Sequence, residues 1–115
     1  MDRSELLSSL KLDRFIAFDF ETTGLQVETD RAIEVAAIMF KDGKPAEKFV
    51  TLINPQIPIS DLIADITGIT NEMVAEEPLE KEIIDDLFEF LGDYPIVAHN
   101  TPFDLSFLRA MAERH

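Results

Sequence analysis

The order of apolar and polar residues in the first half of the chain predicts three β-strands. Arg14–Glu21 is rich in Phe and Ile and turns polar at its end, as a buried strand does where it reaches the surface. Ala32–Phe40 is predicted to be a second strand, and the Asp-Gly pair at 42 and 43 is a strong signal for a tight hairpin turn. A third strand over Glu47–Ile53 ends at an Asn-Pro pair. We therefore expect an antiparallel three-stranded meander.

After Pro58 the apolar positions follow a helical period. The clearest helix is Leu79–Leu91, because apolar side chains recur there every four residues with two more alongside: Leu79, Ile83, Leu87 and Leu91, then Ile84 and Phe88. Gly92 ends this helix. Two shorter helices are predicted before it, Leu62–Ile66 with a cap at Ser60 or Asp61 and an end at Gly68, and Glu72–Ala75 with a cap at Asn71.

The last part of the chain predicts one more strand and a final helix. Ile96–Ala98 is a short apolar strand, and Thr101-Pro102 is typical of an N-cap followed by proline at the first helical position. This helix is expected to run to the end of the chain. A strand, a helix and another strand in succession require a crossover, so the fourth strand should run parallel to one strand of the meander. The result is a mixed-sheet α/β or α+β fold.

Composition limits the size and the setting of this fold. A chain of 115 residues with 46% hydrophobic and 29% charged residues fits one globular domain. It contains no cysteine, which excludes a disulfide framework and a thiolate metal site and makes the cytoplasm the expected location. No apolar run approaches the roughly 18–20 residues that span a bilayer. Residues 1–12 also lack the apolar centre of a signal peptide.

The net charge of −13 argues against tight binding of a long nucleic-acid duplex. Such binding needs clustered Lys and Arg to release counterions, whereas Lys11, Arg14 and Arg31 are scattered. The segment Met73–Asp93 carries eight acidic side chains against one lysine. A solvated outer helix face explains that segment, and a surface for a basic partner, such as a polymerase, is the alternative.

Asp19 and Glu21 lie two residues apart at the end of the first strand. Side chains at that spacing project from one face, so the two carboxylates can converge on a shared cation. Carboxylate oxygens suit Mg²⁺ or Mn²⁺, and without a cation the two charges repel each other. A solvated strand end accounts for the same two residues. Asp104, in the first turn of the last helix, is likewise explained by the helix dipole alone.

Two segments taken together resemble the first and second motifs of the DEDD exonucleases. They are Phe18–Leu25, which reads Asp-Phe-Glu-Thr-Thr-Gly-Leu from its second residue, and Val97–Asp104, which contains Ala-His-Asn and ends in Phe-Asp. The histidine subgroup, with the proofreading epsilon subunit of bacterial DNA polymerase III and ribonuclease T, is the most similar. Thr67–Met73 resembles the stretch between the motifs, so the resemblance covers the chain from about Arg14 onward.

The resemblance implies a ribonuclease H-like fold and a two-metal 3′–5′ exonuclease that acts on single-stranded DNA or RNA ends. It implies that Asp19 bridges two Mg²⁺ or Mn²⁺ ions, that Glu21 binds the metal holding the attacking water, and that Asp104 serves the second metal. The residues that it implies at the terminal nucleotide are Thr22 and Thr23 near the 3′-hydroxyl, Gly24 in the same turn, Leu25, Gly68, Ile69 and Thr70 flanking the last base, and Asn100 and Phe103 nearby.

The resemblance gives neither histidine the role of general base. His99 occupies a motif position that is not the base, and a strand-end residue hydrogen-bonded to nearby backbone describes it equally well. The third motif of the family, His followed five residues later by Asp, has no counterpart after Asp104. The base and a fourth carboxylate are therefore expected beyond His115. We expect residues 1–115 to be the N-terminal part of one exonuclease domain, with residues 1–12 as an extension, truncated before the fifth strand and weakly active or inactive alone.

Two other functions are compatible with the same residues. One is a non-catalytic ribonuclease H-like interaction module, associated with a polymerase, that keeps the fold and has lost the third motif. Binding of Mn²⁺ separates it from an intact metal site. The other is a different ribonuclease H-like two-metal enzyme, such as an endonuclease or a transposase relative, which the Thr-Thr-Gly-Leu sequence after Glu21 disfavours.

Overall fold

The computed structural model describes Asp2, Arg3, Glu5, Leu6 and residues 13–115, and a four-stranded mixed sheet forms its centre. The strands are β1 (Arg14–Thr22), β2 (Ala32–Lys41), β3 (Lys44–Leu52) and β4 (Ile96–Val97), arranged in the order β3-β2-β1-β4. β1, β2 and β3 are antiparallel neighbours, whereas β4 is parallel to β1. The predicted meander and the parallel fourth strand are confirmed. The expected extension over residues 1–12 lies largely outside the described residues.

The turn between β2 and β3 forms at the predicted Asp-Gly pair. Asp42 and Gly43 have φ angles of 53° and 81°, and two successive positive φ angles are what a type I′ hairpin turn requires. Because this turn is so tight, pairing resumes at once, with Lys41 opposite Lys44. β3 therefore begins earlier than the predicted Glu47.

Four helices lie in the described residues that follow β3, namely α1 (Asp61–Thr67), α2 (Asn71–Val74), α3 (Glu80–Leu91) and, after β4, α4 (Thr101–Arg114). The hydroxyl of Ser60 accepts a hydrogen bond from the backbone N–H of Ile63 and caps α1, and Gly68 ends that helix with a left-handed φ of 77°. No helix in these ranges is long and apolar enough to cross a bilayer.

Two predicted helix caps are wrong by one residue. α2 is capped by Thr70, because the side chain of Asn71 instead exchanges two hydrogen bonds with the backbone of Ile59, at 2.8 and 3.0 Å. α4 is capped by Asn100, whose side-chain oxygen accepts from the N–H of Phe103, so proline occupies the second helical position. In both cases neighbouring polar residues can each cap a helix, and their other contacts decide between them.

The main core lies between one face of the sheet and the helices α3 and α4. It contains these buried side chains: Ile16, Phe18, Phe20, Ala32, Val35, Ala37, Ile53, Ile83, Ile84, Leu87, Leu91, Phe107, Leu108 and Met111. Phe88, predicted beside the apolar stripe of α3, is 41% exposed, because it lies on the flank of that stripe. A second cluster of Ile33, Ile59, Ile69 and Val74 attaches α1 and α2 to the beginning of β2.

The acidic surface of α3 is only partly solvated, because Glu80 pairs with the end of α4. Arg114 donates to its two carboxylate oxygens at 2.6 and 2.9 Å, and Nε2 of His115 lies 3.0 Å from Oε1. Burial raises the pKa of Glu80, but the hydrogen bonds and charges of Arg114 and His115 outweigh that effect, so its pKa lies below the ordinary value. Asp85, Asp86 and Glu89 are exposed, as a solvated face predicts.

We predict that Glu80→Gln lowers the free energy of unfolding by about 1–2 kcal/mol at pH 7, because charge-assisted hydrogen bonds are lost from a pair that water still reaches. The wild-type advantage is fully present above the pKa of 4.5 that Glu80 has when unperturbed. It disappears as the pH falls through the lower pKa of the folded chain. Urea denaturation at a series of pH values measures this difference. The exposed control Glu89→Gln should change little, and an equal loss in both variants would contradict the prediction.

Candidate active site

Asp19 and Glu21 lie near the end of β1, beyond the two residues of this strand that pair with β4. Along β1, Ile16, Phe18 and Phe20 point into the core, so the two acidic side chains project from the opposite face of the sheet. This places them together, as the spacing in the sequence predicts. Asp19 is exposed and Glu21 is half-buried.

Asp104 reaches the same end of β1 from α4. It is only 3% exposed, and the backbone N–H of Phe20 donates to its Oδ1 at 2.9 Å. The N–H of Ile16 points toward β4, where it bonds to the carbonyl of Pro95, and by the two-residue period of a strand the N–H of Phe20 points the same way. Because the β4 pairing ends at Val97, the Asp104 carboxylate accepts the hydrogen bond that a longer strand would have taken.

A fourth acidic side chain, Glu34, lies directly across from Glu21 on β2. The pairing shifts at this point, since Glu21 is opposite Glu34 but Thr22 is opposite Ala32, which leaves Ile33 as the extra residue of a β-bulge. Sequence reasoning missed Glu34. Its strand and its alternation with buried Ile33 and Val35 were readable, but the cross-strand register that brings it to Glu21 was not.

Burial and neighbouring acidic side chains raise the pKa of two of these carboxyl groups, Glu21 and Asp104. The pKa of Glu21 is raised by burial and by the charges of Asp19, Glu34 and Asp104. The pKa of Asp104 is raised by burial and by Asp19, against the lowering effect of the Phe20 hydrogen bond and of His99. Among the described residues, the ion pairs of the structure involve Glu80 and none of these carboxylates, so their negative charges lie close together, with His99 acting against the repulsion at Asp104.

The donor chemistry of Asp19, Glu21 and Asp104 fits a hard divalent cation. They are carboxylates that interact electrostatically, and the pKa values of Glu21 and Asp104 are raised, so ionisation of these two side chains is less favourable without added positive charge. In residues 13–115 and the few described before them, however, no three His, Asp or Glu side chains are placed to hold one metal ion together.

The turn after Glu21 presents one large apolar side chain to solvent. Leu25 is 80% exposed, whereas Thr22 is buried and its hydroxyl donates to the carbonyl of Gly24 at 2.7 Å. The hydroxyl of Thr23 donates to Asp30 at 2.8 Å. Of the candidate residues in this turn, Leu25 is therefore the one with a free side-chain surface.

The second candidate segment, Gly68 to Thr70, is attached at the same end of the sheet. Ile69 is 4% exposed and packs in the cluster of Ile33, next to Glu34 on β2. Its side chain faces the interior, and Thr70 caps α2. The exposed apolar side chains of this region are ones that sequence reasoning did not single out: Leu62 at 67%, Ile66 at 69% and Met73 at 45%.

The residues around the start of α4 have mainly structural contacts. Asn100 caps the helix, and the half-buried ring of Phe103 packs on Phe107 with ring centroids 4.9 Å apart. His99 is exposed and lines a shallow cavity of about 410 Å³ on the open face of the sheet, together with Asp19. The expected hydrogen bond from His99 to nearby backbone is absent from the part of the chain that the structure describes.

The chain matches the model of a known protein family. The Exonuclease (RNase T) family matches residues 16–115. This range includes Asp19, Glu21 and Asp104, and it includes all four strands except the first two residues of β1. The chain belongs to the Exonuclease family.

The similar proteins are much longer than this chain, which matches only a small part of each. The DNA polymerase III PolC-type protein of Caldanaerobacter subterraneus is 43% identical over 100 residues, and that of Bacillus subtilis is 41% identical over 99 residues. The matches cover 87% and 86% of this chain but only 7% of each relative.

Solved exonuclease structures share the fold. Exonuclease X in complex with 5′ overhanging duplex DNA has a TM-score of 0.69 and 34% identity, over 82% of this chain and 53% of that one. Exonuclease I has a TM-score of 0.78 at 23% identity, over 89% of this chain and 25% of that one. The ribonuclease H-like mixed sheet predicted from the sequence is thereby confirmed.

We predict that Asp104→Ala lowers the free energy of unfolding by about 1–3 kcal/mol, because the buried N–H of Phe20 is left without an acceptor. Asp104→Asn keeps a side-chain oxygen at this position and should lose clearly less. Urea denaturation of the two variants measures the difference. Equal losses would mean that the hydrogen bond to Phe20 does not hold this helix to β1.

We also predict that Asp19→Asn lowers the pKa of both Glu21 and Asp104 in the metal-free chain, since the charge of Asp19 raises both. A carboxyl whose pKa is raised by folding contributes stability at low pH that is lost as the pH rises through its folded pKa. The variant should therefore be more stable than the wild type at pH 7 and equal to it at acid pH. NMR titration of the carboxyl carbons and denaturation at both pH values test this. Glu47→Gln on exposed β3 is the control, and unchanged pKa values in Asp19→Asn would refute the coupling.

Proposed function

We propose that this exonuclease sequence binds the 3′ end of single-stranded DNA or RNA and hydrolyses its terminal phosphodiester bond with the help of Mg²⁺ or Mn²⁺. The observation that carries the proposal is that Asp19, Glu21 and Asp104 interact electrostatically at the end of β1, and that the turn following this strand carries the exposed side chain of Leu25. Acidic oxygens next to an exposed apolar side chain suit a phosphate held through cations with a base beside it.

Asp19, Glu21 and Asp104 are the residues that we propose hold the cations, two in the complete site. When bound, divalent cations supply Lewis-acid chemistry and generate a water nucleophile near neutral pH. The carboxylates of this chain repel phosphate on their own, so substrate binding here depends on cations. Burial and the hydrogen bond from Phe20 hold Asp104 in place before any substrate arrives.

The neighbouring segments are proposed to select a strand end. Thr22 and Thr23 directly follow Glu21 in the sequence, and their backbone atoms are proposed to lie near the terminal 3′-hydroxyl. Leu25 is proposed to flank the last base on one side, with Gly68 to Thr70 on the other. The attachment of that second segment next to Glu34 supports this placement. Asn100 and Phe103 contribute mainly by fixing the start of α4.

The similar proteins suggest the biological setting. The PolC-type relatives are DNA polymerase III proteins, so we propose that this sequence works with a DNA polymerase in replication, as a proofreading activity in the cytoplasm. We further propose that residues 1–115 form the N-terminal part of a single exonuclease domain. In this proposal the general base and a fourth carboxylate come from outside these residues, and residues 1–115 alone hydrolyse DNA weakly.

One observation favours a second candidate, a polymerase-associated interaction module without catalysis. Within the described ranges no three acidic or histidine side chains meet around one metal position. A module of this kind would keep the fold and would bind neither Mn²⁺ nor a strand end.

Titration calorimetry with Mn²⁺ and a cleavage assay separate the two candidates. We predict that the wild-type chain binds Mn²⁺ with measurable heat, and that its melting temperature rises with Mn²⁺ by mass action. It should slowly shorten a 5′-labelled single strand from the 3′ end. Asp19→Ala should weaken Mn²⁺ binding and cleavage by at least about 10–100-fold.

The matched control Glu47→Ala removes an exposed acidic side chain from β3 and should behave like the wild type. If the wild-type chain gives no heat and no thermal shift with Mn²⁺, the interaction module is the better description. Equal effects of Asp19→Ala and Glu47→Ala would show that Mn²⁺ binds through general surface charge.

A further inference from the structure

In the loop between β1 and β2, the carboxylate of Asp30 accepts hydrogen bonds from two other residues of the loop. Its Oδ1 accepts from the hydroxyl of Thr23 at 2.8 Å, and its Oδ2 accepts from the backbone N–H of Gln26 at 2.9 Å. The N–H of Asp30 itself donates to the carbonyl of Gln26 at 2.7 Å. Both of its carboxylate oxygens are thus used on the turn that carries Leu25.

The base of this loop is closed by further bonds between Thr23 and Arg31. The N–H of Thr23 donates to the carbonyl of Arg31 at 2.8 Å, and the N–H of Arg31 donates to the hydroxyl of Thr23 at 3.0 Å. The hydroxyl of Thr23 therefore links Arg31 to the carboxylate of Asp30. The loop is a closed hydrogen-bonded unit that begins directly after the acidic end of β1.

Gly24 is required here for space and not for an unusual φ. A Cβ atom at this position would lie 2.4 Å from Oδ2 of Asp30 and 2.8 Å from its Cγ, distances that real Cβ atoms do not adopt. The carboxylate of Asp30 consequently rests against the backbone of Gly24. The same group both packs on the residue before Leu25 and bonds the residue after it.

Leu25 gains nothing from this arrangement in the free chain. At 80% exposure its side chain has almost no packing partner, so apolar burial does not explain its position. The polar network fixes the backbone on both sides of it, and a fixed backbone reduces the entropy lost when a ligand contacts that side chain.

We propose that Asp30 is a positioning residue that holds Leu25 ready to contact the terminal base of a bound strand. This inference rests on the proposed function, because the ligand of Leu25 is the 3′-terminal nucleotide. Asp30 itself touches no substrate and acts through Gly24, Leu25 and Gln26.

A double-mutant cycle on the full chain tests whether Asp30 acts through Leu25. The measurement is the fluorescence anisotropy of a short oligothymidylate with a free 3′-hydroxyl and a phosphorothioate at its last linkage, with Mn²⁺ present. Asp30→Ala and Leu25→Ala should each weaken binding about tenfold, in line with the cost of ordering one or two residues. The double variant should bind no more than about twofold more weakly than Leu25→Ala. Fully additive losses would overturn the proposal.

Two control variants separate the position of Asp30 from its charge. Glu28→Ala removes an acidic side chain from the same loop that makes no hydrogen bond in the described structure, and it should bind like the wild type. Asp30→Asn keeps one acceptor oxygen and should show an intermediate loss. If Glu28→Ala weakens binding as much as Asp30→Ala, the effect is one of loop charge and the proposal fails.

Hydrogen exchange in the chain without oligonucleotide gives an independent readout. The amide of Gln26 should lose protection in Asp30→Ala and keep it in Leu25→Ala and Glu28→Ala, because only Asp30 accepts its hydrogen bond. Unchanged protection in Asp30→Ala would overturn the positioning role whatever the binding data show. If the wild type binds no oligonucleotide, the proposed function fails, and the exchange of Gln26 still decides whether Asp30 orders the loop.

Discussion

The hydrogen bond from the backbone of Phe20 to the carboxylate of Asp104 joins residues that are 84 positions apart, and the candidate site depends on it. It satisfies an amide of β1 that the two-residue β4 cannot reach, and it holds the first turn of α4 against the end of the central strand. The same bond brings a third carboxylate to Asp19 and Glu21. The buried carboxylate of Asp104 therefore both stabilises the fold and contributes to the candidate site. Its loss would leave the backbone N–H of Phe20 without an acceptor in the core.

Placing Asp104 near Asp19 and Glu21 costs electrostatic free energy. Burial and neighbouring charges raise the pKa of Glu21 and of Asp104, so the ionised site opposes folding at neutral pH. Most of the other acidic side chains are solvated or, like Glu80, paired, so the unfavourable charge is confined to this end of β1. In the function that we propose, divalent cations relieve this unfavourable charge. The net charge of −13 therefore does not oppose an exonuclease function, although it still argues against tight duplex binding by this chain alone.

The loop that follows β1 uses its polar side chains and its large apolar side chain in different ways. Its polar side chains are used internally, by Thr22, Thr23 and Asp30, while its large apolar side chain, Leu25, is left in solvent. The exposed leucine adds little to the stability of the folded chain, whereas the internal hydrogen bonds order the backbone on both sides of it. An ordered backbone that carries an exposed apolar side chain suits the contact with a terminal base that we propose for Leu25.

Local sequence patterns predicted the strands and helices apart from some of their ends, whereas the contacts between distant elements depend on the three-dimensional fold. The type I′ turn at Asp42 and the period of α3 were readable because their causes lie within a few residues of each other. Motif resemblance also identified the three carboxylates and the fold. Where two adjacent residues could cap a helix, as Thr70 and Asn71 could, a contact from elsewhere made the choice. Glu34 beside Glu21, Asp30 against Gly24 and Arg114 on Glu80 were invisible in the sequence. Each depends on register or on helix packing, and no local pattern records which distant residue will fill the space next to a given backbone atom.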